Sequence, residues 1–170
     1  MTDRELAAST APLLIMDVDG VLNAPRPRWN SRVERQHVRT SVGEFKIAWS
    51  PALIDWLREL PKAFDVDLWW LTSWGPEVDK LETLWQLPRQ HASRGIGTVL
   101  PSAQVAQAKH GFVAEVIASG RPWVWCDDEE AIAFDEPGIA PHVAIQPNPK
   151  LGLTPDDANR IEAFLLGHQQ

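Results

Sequence analysis

Apolar residues along the chain come in short runs divided by polar, turn-rich stretches, and the period of each run predicts its element. Leu13 to Val18 (LLIMDV) is continuously apolar before Asp19-Gly20, the pattern of a strand buried on both faces. A polar stretch rich in Pro and Arg follows. It passes into two alternating segments, VERQHVRT and EFKIAW, joined by Ser41-Val42-Gly43, which predict a β-hairpin. Ser50-Pro51 predicts a helix start, with Ser as N-cap and Pro in the first helical position. Leu53, Ile54, Trp56, Leu57 and Leu60 form its apolar stripe, and Pro61 is expected to bound it.

The second half repeats this alternation. Phe64 to Leu71 (FDVDLWWL) predicts a strand ending at Thr72-Ser73, and a helix follows from about Glu77 to Gln86 with Val78, Leu81, Leu84 and Trp85 inward. A loop carrying Pro88, Gly95 and Gly97 leads to a short expected strand near Thr98 to Leu100. A long helix is predicted over Ala103 to Ser119 and closed by Gly120. Strands at Trp123 to Cys126 and His142 to Ile145 come next, and Thr154-Pro155-Asp156-Asp157 opens the last helix with a cap, a helix-starting Pro and dipole-matched acids. Strands alternating with helices and apolar on both faces predict an α/β fold with a mainly parallel sheet.

With 170 residues the chain suits one domain, 1–170, with the segment at about 23–49 as an insertion. No run approaches the roughly 18 apolar residues of a membrane span, and MTDRELAAST has no apolar signal core, so a cytoplasmic protein is expected. The lone Cys126 excludes an internal disulfide and a multi-cysteine zinc site, and its strand position marks it as a small core residue. The five histidines lack ligand spacing. No obligate protein partner is evident.

Charge changes the picture in one place. The net charge of −7 argues against general nucleic-acid coating. Between Arg26 and Lys46, however, six basic residues (Arg26, Arg28, Arg32, Arg35, Arg39, Lys46) face two acids, a local net of +4.

Ligands of open parallel sheets bind beyond the carboxyl ends of the strands. There the sequence places Asp17 and Asp19, then Thr72 and Ser73, then Asp127 and Asp128, with Lys109 in the helix before the last pair. So many carboxylates around one crevice would repel strongly unless a cation or protons intervened. Oxygen ligands without soft donors favour magnesium, and manganese accepts the same set. An acidic helix start at Asp127-Asp128-Glu129-Glu130 is the plainer reading of that run taken alone.

The string LLIMDVDGVLN resembles the first motif of the haloacid dehalogenase (HAD) superfamily, and the later Thr/Ser, Lys and paired aspartates follow in that superfamily's order. DVDGVLN, WWLTSW, RPWVWCDDE and the late Gly152-Leu153-Thr154 together resemble the HAD domain of bacterial RNA-repair-related proteins over nearly the full length. The resemblance implies a three-layer, Rossmann-like phosphatase with a short hairpin flap and no large cap domain.

It implies Asp17 as nucleophile, forming an aspartyl-phosphate, and Asp19 as general acid and base. Thr72 would bind the transferring phosphoryl group, ahead of Ser73, and Lys109 would offset its charge, with Lys80 a weaker competitor. Asp17, the Asp19 carbonyl, Asp127 and Asp128 would hold magnesium. Ser73, Gly20, Arg26 and Arg28 are further substrate-binding candidates. Arg26, Arg28, Arg32, Arg35 and Arg39 of the hairpin segment would attract a polyanion, the plainer reading being a solvated hairpin whose charges aid solubility and protect its edge. Trp29, Trp49 and Trp74 lie near the expected mouth, and Trp29 or Trp49 is a candidate to stack a base.

The implied substrate is a phosphomonoester on a small molecule or a nucleic-acid end. A catalytically degenerate phosphate-compound binding protein is the alternative. A signalling receiver domain uses similar residues, but there the acidic pair precedes the acceptor strand and the Lys comes last, whereas Lys109 precedes Asp127-Asp128.

Overall fold

The computed structural model describes residues 9–88, 100–135 and 139–168. Four short strands form one parallel sheet: β1 (Leu13–Met16), β4 (Asp67–Trp70), β5 (Trp123–Cys126) and β6 (His142–Ile145), in spatial order β4-β1-β5-β6. β2 (Glu34–Arg39) and β3 (Glu44–Trp49) form a separate antiparallel hairpin. The helices are α1 (Pro51–Ala63), α2 (Val78–Trp85), α3 (Ser102–Ser119) and α4 (Pro155–Leu166). This is the expected α/β architecture without a large cap among the described residues. The strand expected near Thr98 falls on residues outside that set, save Leu100, which is not in a strand.

The period-2 alternation of each strand divides the core into two layers. Leu14, Met16, Leu68, Trp70, Val124 and Cys126 face α1, α2 and α4 on one side. Leu13, Ile15, Trp69, Trp123 and Trp125 face Phe112, Val113 and Val116 of α3 on the other. Helices on both faces are what strands with no polar side require. Among the described residues, no helix is long and apolar enough to cross a membrane.

Local chemistry departs from expectation at three points. α1 continues through Pro61 to Ala63 and ends where the Phe64 amide donates to the Leu60 carbonyl at 2.9 Å. A proline in a last turn keeps a helical φ and removes one hydrogen bond without breaking the helix. Ser50 occupies the N-cap but makes no side-chain cap; its hydroxyl pairs with that of Ser31 at 2.6 Å, and Ser31 accepts the Ala52 amide. The strand expected from Phe64 begins only at Asp67, where pairing to Leu13 starts. The start of α4 is as expected: Thr154 and Asp157 exchange side-chain and backbone hydrogen bonds as a capping box.

The insertion is a docked hairpin rather than a freestanding flap. Val38 and Ile47, on one face of the ribbon, are buried and complete the α1 side of the core. The Ser41 amide donates to Glu77, Lys80 donates to the Arg39 carbonyl, and Asn23 Oδ1 accepts the Ala48 amide at 2.8 Å. Lys80 also pairs with Glu77, so it serves the hairpin and not the crevice.

Candidate active site

β1 lies between β4 and β5, so the chain leaves it toward opposite sides and opens a crevice at the strands' carboxyl ends. Ladder bonds carry the backbone into that crevice: the Asp17 amide donates to the Cys126 carbonyl, Leu71 to Met16 and Asp127 to Ile145. Asp17, Thr72 and Asp127 are thereby delivered to one end of the sheet by rigid elements.

At the centre, Lys109 of α3 is buried and forms ion pairs with Asp17 Oδ2 and, at 2.7 Å, with Asp127 Oδ2. Asp17 Oδ1 accepts the Val18 amide at 2.6 Å. Asp127 Oδ1 accepts the amides of Glu129 and Glu130 at 3.0 and 2.9 Å. Asp17, Asp127 and Asp128 each offer an oxygen within 4.8 Å of the others. One lysine does not balance three carboxylates. Burial, with help from Asp127, pushes the Asp17 carboxyl up to about 7 against the opposing pull of Lys109. Burial with Asp127 and Glu129 lifts Asp128 to about 6. Burial opposes charge on Lys109, but the two carboxylates outweigh it and hold the ammonium well above its usual range. Under-compensated oxygen ligands at this spacing suit a hard divalent cation.

Gly20 makes this packing possible. Its φ of +69° is in the left-handed region, and a Cβ there would meet Asp128 Cγ at 2.2 Å. Asp128 therefore lies directly over the Gly20 backbone. The same loop is braced from behind by Gly152, where a Cβ would meet the Val21 carbonyl at 2.5 Å, and by the Leu153 amide donating to that carbonyl.

Asp19 is held by two donors: Asn23 Nδ2 to Oδ1 at 2.6 Å and Trp74 Nε1 to Oδ2 at 2.9 Å. It borders three cavities. The first, about 340 Å³, is lined by Asp17, Asp19, Ser73, Lys109 and Asp128 beside the first turns of α3. The second is an aromatic notch of Thr40, Phe45, Ser73 and Trp74. The third, about 360 Å³, is lined by Gly20, Asn23, Arg35 and Lys46.

Of the residues singled out from the sequence, Asp17, Asp19, Lys109, Asp127 and Asp128 come together, with Gly20 beneath and Ser73 in the wall. Thr72 is fully buried, and its hydroxyl accepts the Trp74 amide at 3.3 Å; Ser73, not Thr72, lines the cavities. Arg26 and Arg28 are exposed and line none of the three cavities; Arg35 and Lys46 do. Trp29 donates to the Leu153 carbonyl and packs on Trp56, and Trp49 packs on Trp85, so neither stands in the mouth as a stacking platform. Trp74, buried and tilted against Phe45 with centroids 5.4 Å apart, lines the aromatic notch beside Asp19. Strand periodicity was the available signal for the cationic pair, since Arg35 and Lys46 fall on the same hairpin face.

A family model described as "HAD domain in Swiss Army Knife RNA repair proteins" matches residues 13–158. No curated protein and no solved structure gives a significant match.

Proposed function

The chain belongs to the family of HAD domains found in Swiss Army Knife RNA repair proteins, within a superfamily of phosphatase-type hydrolases, and we propose that it is a magnesium-dependent phosphomonoesterase working through an aspartyl-phosphate. The observation that carries this reading is the buried Asp17–Lys109–Asp127 triad, with Asp128 beside it, at the end of the central strand.

Asp17 is the nucleophile. Its carboxylate oxygen forms a bond to phosphorus as the bond to the ester oxygen breaks, and the leaving oxygen takes a proton from Asp19. Asp19 then accepts a proton from water as the water oxygen attacks the same phosphorus. Inorganic phosphate leaves and the Asp17 carboxylate is restored. Lys109 offsets charge on the phosphoryl oxygens and keeps Asp127 in place. Thr72 or Ser73 supplies a hydroxyl to the phosphoryl group.

Magnesium would be held by Asp17, Asp127, Asp128 and the Asp19 carbonyl, and would supply neutralisation of phosphoryl charge. The raised carboxyls of Asp17 and Asp128 support that fit, because burial and then the neighbouring acids disfavour their charged forms, and a dication would compensate them. The substrate is a phosphorylated small molecule or a nucleic-acid end, admitted by a mouth that no large cap covers among the described residues. The chain acts as one domain with the hairpin at about 23–49 forming part of the rim.

Acid quenching during turnover of a ³²P-labelled phosphomonoester tests this directly. A hydroxylamine-labile label on the peptide containing Asp17 is expected; turnover without any acyl-phosphate label counts against covalent catalysis.

A further inference from the structure

The third cavity beside Asp19 has a composition that phosphoryl transfer at Asp17 does not use. Arg35 and Lys46 project from one face of the β2–β3 ribbon, since Arg35 pairs with Ala48 and Lys46 with His37 across the ladder. Residues of like parity share a face, and the diagonal pair i, j−2 lies within reach of one ligand. The carboxylate of the hairpin on this face, Glu44, sits opposite Arg39 at the far end. Among the described residues, no carboxylate lies within ion-pair distance of Arg35 or Lys46.

The ribbon is not free to carry these cations away. Ala48, in the floor of the cavity, donates to Asn23, and Asn23 donates in turn to Asp19. Val38 and Ile47 on the opposite face are locked into the core. Two cations with no partner carboxylate are thus fixed on the flank of the residue that would protonate the leaving group, and their mutual repulsion is relieved by an anion between them.

We propose that Arg35 and Lys46 form an anion subsite on the leaving-group side of Asp19, selecting phosphomonoesters whose leaving group carries a second phosphate. The inference deepens the proposed function and rests on Asp17 as the transfer point. Its ligand is a bisphosphate: one phosphate enters the Asp17–Lys109 cavity and the other meets the hairpin cations. The selectivity weakens as ionic strength rises, because both cations are solvent-exposed.

The test is calorimetric binding to the Asp17→Asn protein with magnesium, comparing adenosine 3′,5′-bisphosphate with adenosine 3′-monophosphate. Binding of the bisphosphate is expected to be tighter by roughly tenfold or more, the worth of one good charge-assisted contact. Arg35→Gln/Lys46→Gln removes that preference, whereas Lys62→Gln on α1, a charge change remote from the hairpin face, retains it. Equal affinity for the two ligands overturns the proposal, and so does a preference that survives in the double variant. Hydrolysis by the native protein is read separately. If neither nucleotide is hydrolysed but the preference behaves as stated, the phosphatase reading fails and the subsite stands.

Discussion

The indole Nε1–H of Trp74 donates to Asp19 Oδ2 at 2.9 Å, tying the proposed general acid to the residue that follows Thr72-Ser73. Phe45 of the hairpin packs on the same indole, so the orientation of Asp19 depends on the docking of β3. A hydrogen bond to a charged group contributes about 1.5–3 kcal/mol. Trp74→Phe keeps the ring contact and removes the donor. It is expected to lower kcat roughly tenfold on alkyl phosphates, whose leaving oxygen needs a proton. On p-nitrophenyl phosphate, whose leaving group is stable as an anion, the loss is several-fold smaller. Equal losses on both substrates would argue that Trp74 acts only through folding.

Lys109 bridges two buried carboxylates, and deleting a buried partner strands the charges that remain. Lys109→Met is expected to lower metal-free stability by about 3–5 kcal/mol at pH 8, read from urea unfolding. The loss shrinks at pH 5, where Asp17 takes up a proton. A loss under about 1 kcal/mol at pH 8 is inconsistent with the triad.

Stability of the metal-free protein follows the two raised carboxyls. The folded protein binds protons at Asp17 and Asp128 more tightly than the unfolded chain does, with values of about 7 and about 6 against 3.8. Their contribution is complete below the unfolded value and is lost as pH rises through the folded ones. The urea midpoint should therefore fall from pH 5 to pH 8. Magnesium, by compensating both carboxylates, should flatten that dependence and raise Tm most at the alkaline end. A metal-free midpoint that climbs over this range contradicts the site electrostatics.

Gly20→Ala combines a disfavoured φ with a Cβ in the space of the Asp128 carboxylate. It is expected to cost about 1–3 kcal/mol of stability through strain and to weaken magnesium binding at least tenfold by displacing Asp128. Titration calorimetry with magnesium reads the second effect. Unchanged affinity would show that Asp128 is not a ligand.

Much of this architecture is legible in the sequence because parallel strands carry near-continuous apolar runs. Leu13–Met16 and Trp123–Cys126 declare themselves, and the carboxylates that follow them mark the strand ends. Gly120 and Thr154 end and begin helices by local chemistry alone. What the sequence hides is tertiary. Val38 and Ile47 read equally well as one face of a free ribbon or of a docked one. Arg26 and Arg28 are nearer in sequence to Asp19 than Arg35 and Lys46, yet only the fold of the hairpin back onto Asn23 brings cations to the cavity. The same holds for the tryptophans: Trp29 and Trp49 are taken up by Trp56 and Trp85, and Trp74 lines the notch beside Asp19.

The central claim is that Asp17 attacks phosphorus. Hydrolysis of p-nitrophenyl phosphate by the native protein and by Asp17→Asn, each with magnesium and with EDTA, tests it most directly. The expected result is turnover that requires magnesium and falls by about 10³-fold or more in Asp17→Asn, as for loss of a covalent nucleophile. Turnover that survives Asp17→Asn would contradict the account at its centre.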